Sequence, residues 1–171
     1  MKITKINILA AIGFAALMSF TGCKKDDGPI PSRVSVDEIP AVTTNIDATG
    51  SASIAMANLA GFAGKFNVSM YFTGATPPSK VDIVVRKNAS AANVKVFKAG
   101  VSSFPAAITV SAADIATLFG TAIALNDTYD FAPDLYVGDK KYEAFPVTGN
   151  GSGAGVIAMP GFGEYVRYKA Q

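Results

Sequence analysis

Lys65-Phe66-Asn67-Val68-Ser69-Met70-Tyr71-Phe72 alternates polar and apolar side chains one by one. Successive side chains of an extended chain point to opposite sides, so Phe66, Val68, Met70 and Phe72 share one face and mark a half-buried strand. The same period recurs nearby. Val81, Ile83 and Val85 alternate with Asp82, Val84 and Arg86, and Val94 and Val96 alternate with Asn93, Lys95 and Phe97. Weaker strand candidates lie at 34–38, 41–46, 52–57, 106–110, 128–137, 141–147 and 165–169. Turn residues separate them: Thr49-Gly50, Pro77-Pro78-Ser79, Asn88-Ala89-Ser90, Ala99-Gly100 and Gly138-Asp139. About seven to ten short strands punctuated in this way predict a mainly β chain, a sandwich first and a small barrel second.

One stretch breaks the period. Ser111 stands three residues before Asp114, the spacing of a capping box with Asp in place of Glu. Ile115, Leu118 and Phe119 then share a helical face, and Gly120 supplies a left-handed stop. A short helix at 112–119 connecting two strands is expected.

Composition narrows the chemistry. The chain of 171 residues has 15 basic and 13 acidic side chains, no His, no Trp and one Cys. Without His there is no Ser-His-Asp triad, no imidazole metal ligand and no imidazole pH switch. A single Cys forms neither an internal disulfide nor a thiolate cluster. A formal charge of +2 gives no electrostatic footprint for nucleic acid.

The N-terminus reads as an address. Lys2 and Lys5 precede a nearly pure apolar run, Ile6 to Met18, and small residues follow. That order is a secretory signal, and the run is too short to span a hydrocarbon core, which takes about 20 residues. Removing residues 1–22 takes Lys2 and Lys5 with it and brings the formal charge to zero. The expected organisation is a signal peptide over 1–22, a tether over 23–32 containing Pro29 and Pro31, and a domain over 33–171.

Phe20-Thr21-Gly22-Cys23 resembles the lipobox of bacterial lipoprotein precursors, with Phe20 where Leu is commoner. The resemblance implies cleavage after Gly22 and acylation of Cys23, with palmitate-type chains anchoring the protein in a membrane; each buried CH₂ adds about 0.8 kcal/mol, so several chains hold stably. Lys24-Lys25-Asp26-Asp27 resembles the export signal of Bacteroidota-type surface lipoproteins, which implies an outer-membrane protein facing the medium. A third resemblance rests on Val81 to Val85, Phe104 to Val110, Ser111 to Ile115 and Lys140 to Phe145. Over Lys80 to Phe145 the chain is similar to Ig-like domains of accessory lipoproteins of polysaccharide-uptake systems. It implies an Ig-like β-sandwich with one short connecting helix, serving as spacer, scaffold or glycan-binding module. It carries over no ligand residue.

Candidate sites follow from the side chains that remain. Tyr129, Phe131 and Tyr136, with Tyr142 on the next strand, form the candidate cross-strand platform for a sugar ring. Core packing is the competing and commoner fate of alternating strand aromatics. Asp127, Asp130, Asp134 and Asp139, with Asn126, supply oxygen donors, but their order matches no EF-hand loop, and solvated loop carboxylates are expected rather than a metal site. No acid–base pair stands out among them for a glycosidase. Gly149-Asn150-Gly151-Ser152-Gly153-Ala154-Gly155 lacks the Lys-Ser/Thr pair and following helix of a phosphate loop. The expectation is a lipid-anchored, surface-exposed accessory binding or scaffold lipoprotein, with no cofactor and no enzymatic activity. Its partners would be the membrane through Cys23, and a glycan or an outer-membrane protein. A structural spacer or adhesion subunit is the alternative, and a small lipoprotein hydrolase comes third.

Overall fold

The alternating stretch that begins at Lys65 lies in the central strand of a three-stranded antiparallel sheet. In the computed structural model, which describes residues 39–146 and 165–171, the first five strands are β1 (Val42–Ile46), β2 (Ala63–Met70), β3 (Lys80–Lys87), β4 (Val94–Val101) and β5 (Ala106–Ser111). Helix α1 (Ala112–Phe119) follows, then β6 (Thr128–Val137), β7 (Lys140–Tyr142) and β8 (Val166–Lys169). One sheet has the order β1-β2-β5; the other has β4-β3-β6, with β7 and β8 both on β6. The fold is therefore mainly β, a two-sheet antiparallel sandwich with one short connecting helix.

The core sits between the sheets. Phe66 and Val68 of β2 and Ile108 and Val110 of β5 face Val81, Ile83 and Val85 of β3, Tyr129 and Phe131 of β6, and Tyr168 of β8. Phe131 joins the layers, with ring centroids 5.5 Å from Phe66, 5.3 Å from Phe97 and 5.9 Å from Tyr168. Gly64 is required by close approach: a Cβ there would stand 2.7 Å from the Phe62 ring and 2.9 Å from the Tyr168 ring.

Helix α1 forms as its sequence dictates. The Ser111 hydroxyl accepts from the Asp114 N–H at 3.1 Å, and the Asp114 carboxylate accepts from the Ser111 N–H at 3.0 Å. Gly120 closes the helix in the left-handed region, φ 67°, where only glycine is unstrained. Ile115 is fully buried and caps that end of the core. Ser111→Ala should lower stability by about 1 kcal/mol, read as a fall in the denaturant midpoint at constant slope; an unchanged midpoint would show the cap to be idle.

Four local expectations are corrected. The 93–97 alternation is inverted: Val96 is exposed, and Phe97 packs against the core. The β3–β4 ladder shifts register between Ile83 and Val84, and such an irregularity re-aims a side chain. Residues 52–57 give only an isolated bridge, Ile54 to Ala170, and then a 3₁₀ turn at Met56–Gly61. Strand β2 ends at Met70, leaving Phe72 61% exposed. The strand expected at 141–147 stops at Tyr142, because the Asp134 carboxylate takes the Ala144 N–H at 2.8 Å and draws the chain off the ladder. The 34–38 strand and the 149–155 glycine run lie outside the described residues, as do Cys23, Lys24, Lys25, Asp26 and Asp27.

Candidate functional site

The face of the larger sheet that points away from the core is built in rows. Strand β3 is antiparallel to β6, so Asp82 stands opposite Asp134, Val84 opposite Ala132 and Arg86 opposite Asp130. On the free edge of β6, β8 sets Arg167 opposite Asp130, while β7 pairs further along at Leu135 to Val137. One row therefore reads Arg86, Asp130, Arg167 across three strands.

Asp130 is fully buried and accepts from both guanidiniums. Arg86 Nη2 lies 3.0 Å from Oδ2; Arg167 Nε lies 2.6 Å from Oδ1, and its Nη2 3.0 Å from Oδ2. The hydrogen bond to Asp130 holds the Arg167 guanidinium charged more firmly than usual. Each arginine also lies over a ring: Arg86 is 4.1 Å from the Phe145 centroid and Arg167 5.3 Å from that of Tyr165. Phe145 and Tyr165 approach each other at 6.2 Å.

The other acids on this sheet are engaged in the same way. Asp134 accepts from Lys141 Nζ at 2.9 Å as well as from the Ala144 N–H. That hydrogen bond to Asp134 pushes the Lys141 ammonium pKa up, against the opposing pull of burial. Asp82 accepts from the Gly100 N–H at 2.8 Å and from the Tyr136 hydroxyl at 2.9 Å, with Lys80 at 3.6 Å. Burial alone would raise the Asp82 pKa, but these donors outweigh it and hold it below the ordinary value.

Asp127, just before β6, gathers the most donors: the Ala124 N–H at 3.0 Å, Asn88 Nδ2 at 2.8 Å, the Tyr129 hydroxyl at 3.0 Å and Lys87 Nζ at 2.9 Å. Burial raises its pKa, yet the donors prevail and bring it to about 2. A carboxylate depressed when folded contributes stability above its unfolded pKa and loses that contribution as pH falls through its folded one. Asp127 should therefore contribute on the order of 2 kcal/mol that disappears between about pH 4 and pH 2. Burial pushes the Tyr168 phenol up to about 12, so its contribution is present below about pH 10 and lost between about pH 10 and 12. Asp127→Asn should flatten the acid limb of a stability–pH profile. It should also alter the alkaline limb, because the Asp127 carboxylate accepts from the Tyr129 hydroxyl and helps to raise that phenol's pKa. Equal acid limbs in parent and variant would contradict the assignment.

The sandwich divides the predicted aromatic platform. Tyr129 and Phe131 are fully buried in the main core. Tyr136, an odd number of residues further along β6, lies on the opposite face, under Lys80 Nζ at 4.0 Å from its ring. Tyr142 stands on β7 opposite Leu135. These four rings form no single surface, because a strand sends odd and even positions to opposite sides. The carboxylate expectation is corrected as well. Asp127, Asp130 and Asp134 are buried and ion-paired, and only Asp139 of that set is a solvated turn residue. The missed signal was the spacing of four between Asp130 and Asp134, matched by Arg86 and Arg167 alternating with apolar residues on candidate strands. Among the described residues no group of three or more acidic or Cys side chains is placed to hold a metal ion.

Beside the charged rows lies a cleft of about 200 Å³, floored by Val84, Val94 and Phe145 and rimmed by Lys95, Lys141 and Glu143. A second depression of about 290 Å³ lies between the 3₁₀ turn and α1, lined by Leu59, Ala60, Ala113, Ala116 and Ile123 among others. Among the described residues no helix is long and apolar enough to cross a membrane. Comparison with protein-family profiles, curated proteins and solved structures finds no match for this chain. The fold and the charged rows describe a two-sheet β sandwich whose larger sheet is tied on its outer face by buried ion pairs.

Proposed function

We propose that this chain is a lipid-anchored, surface-exposed scaffold lipoprotein of the outer membrane, holding an Ig-like domain outside the bilayer through Cys23. The supporting observation is the state of its carboxylates. Asp82, Asp127, Asp130 and Asp134 each have a cationic partner, and all but Asp130 also accept a backbone N–H. Groups held so fully by the fold serve its rigidity, and rigidity is what a spacer or assembly subunit needs. The sequence adds the address: the Phe20 to Cys23 lipobox resemblance and the Lys24 to Asp27 export resemblance.

Of the two roles expected for such a domain, the geometry favours scaffold over glycan platform, since the Tyr129, Phe131, Tyr136 and Tyr142 rings are divided between two faces. Protease shaving of intact cells tests the reading. Loss of the domain from outside is expected, and full protection would contradict surface exposure. A glycan-array screen of the mature protein separates the two roles. Saturable binding to a defined glycan would replace the scaffold role with a binding one.

A further inference from the structure

The two ends of the sandwich differ in what they carry. At one end, α1 and the 3₁₀ turn close the core, and Leu125 is 63% exposed beside them. The other end holds the β2–β3 loop, residues 71–79, and the point where the described chain begins at Ile39. The Tyr71 N–H donates to the Ala41 carbonyl at 2.9 Å, so the N-terminal segment joins the domain directly beside this loop.

The loop is set apart by two adjacent exposed rings, since the connections at 48–61 and 120–126 are uncharged as well. Tyr71-Phe72-Thr73-Gly74-Ala75-Thr76-Pro77-Pro78-Ser79 contains no charged residue. Tyr71 is 46% exposed, and the Tyr71 and Phe72 rings meet edge to face at 4.8 Å. Both stems are pinned: Tyr71 is tied to Ala41, and the Ser79 N–H and hydroxyl both donate to the Tyr136 carbonyl at 2.9 Å. A pinned, uncharged loop tipped with Tyr and Phe has the chemistry of a membrane interface, where aromatic rings sit at headgroup level and no charge must be desolvated.

The occupant follows from where the tether attaches. The sixteen residue steps from Cys23 to Ile39 reach about 55 Å at most when extended and about 20–25 Å as a coil. The ten residues of β6 separate the two ends by about 33 Å. A tether of coil dimensions is shorter than the domain, so a lipid on Cys23 would give the Tyr71 end a higher effective concentration at the bilayer than the helix end. We infer that the 71–79 loop docks on the lipid surface through Tyr71 and Phe72, orienting the domain upright on the membrane. This rests on the lipid-anchored reading above.

The absence of Trp in the natural chain supplies the test. The mature lipidated protein is made as Phe72→Trp and as Leu125→Trp, and each variant is placed in phosphatidylcholine vesicles with plain or brominated acyl chains. Phe72→Trp emission should shift to the blue and be quenched roughly twofold or more by brominated lipid, with Leu125→Trp unaffected. If protein floats with the vesicles but Phe72→Trp is unquenched, docking is overturned and anchoring stands. Equal quenching at both positions overturns the orientation. Protein that fails to float overturns the anchor, and the docking with it. Shielding of Phe72→Trp only in native membranes, never in protein-free vesicles, would assign the loop to a protein partner and overturn lipid docking.

Discussion

Asp130→Ala should destabilise the domain by about 3–5 kcal/mol, a large part of the 5–15 kcal/mol typical of a folded domain. The loss comes less from two missing salt bridges than from what is left behind. Arg86 and Arg167 face each other across the position that Asp130 occupied, with no anion between them. Arg167 is 44% exposed in its side chain and has room to turn to water, whereas Arg86, 17% exposed and lying over Phe145, does not. The lower half of the range is therefore expected. Denaturant unfolding reads it as a fall in midpoint at unchanged slope. Replacing all three residues by apolar ones of similar volume should recover most of the loss, because a buried charged set is matched by well-packed hydrophobic residues. Asp130→Ala within about 1 kcal/mol of the parent would mean that the row is incidental to stability.

Phe131→Ala should cost a similar amount, about 3–5 kcal/mol, for a different reason. Its ring is fully buried and touches Phe66 from the smaller sheet and Phe97 and Tyr168 from its own. Truncation leaves a cavity where the two sheets meet, and neighbours held by separate strands cannot collapse into it. Phe72→Ala is the matched control: the same chemical deletion at an exposed loop ring should change stability by only about 0.5 kcal/mol. A comparable loss at both positions would contradict the assignment of Phe131 to the core and Phe72 to the surface.

Much of the fold was legible in residue order. The alternation at 66–70 and 81–85, the span of β6 and the capped helix at 112–119 each follow from side-chain period or cap chemistry, both of which are local. What was not legible depends on partners distant in sequence. Phe97 turns inward because the β3–β4 ladder slips there, and no local pattern announces a slip. Tyr142 ends its strand because Asp134, ten residues from Ala144, captures an N–H. Asp127 and Asp130 read as solvated because their counter-charges, Lys87, Arg86 and Arg167, sit on β3 and β8, about 40 residues away along the chain. Asp134 read so because the β6–β7 turn that brings Lys141 to it is a matter of register. The Tyr129, Phe131 and Tyr136 grouping placed two parities of one strand on one face, an error that the period of two itself exposes.

The anchor is the hinge of the functional proposal, and Cys23 is the only cysteine in the chain. The most direct measurement is detergent phase partition and membrane flotation of the full-length protein and of Cys23→Ala, expressed in a Gram-negative host with lipoprotein processing. The parent should follow the membrane and the detergent phase, and the variant should be released to the aqueous fraction. A Cys23→Ala protein that partitions with membranes as the parent does would contradict lipid anchoring at Cys23.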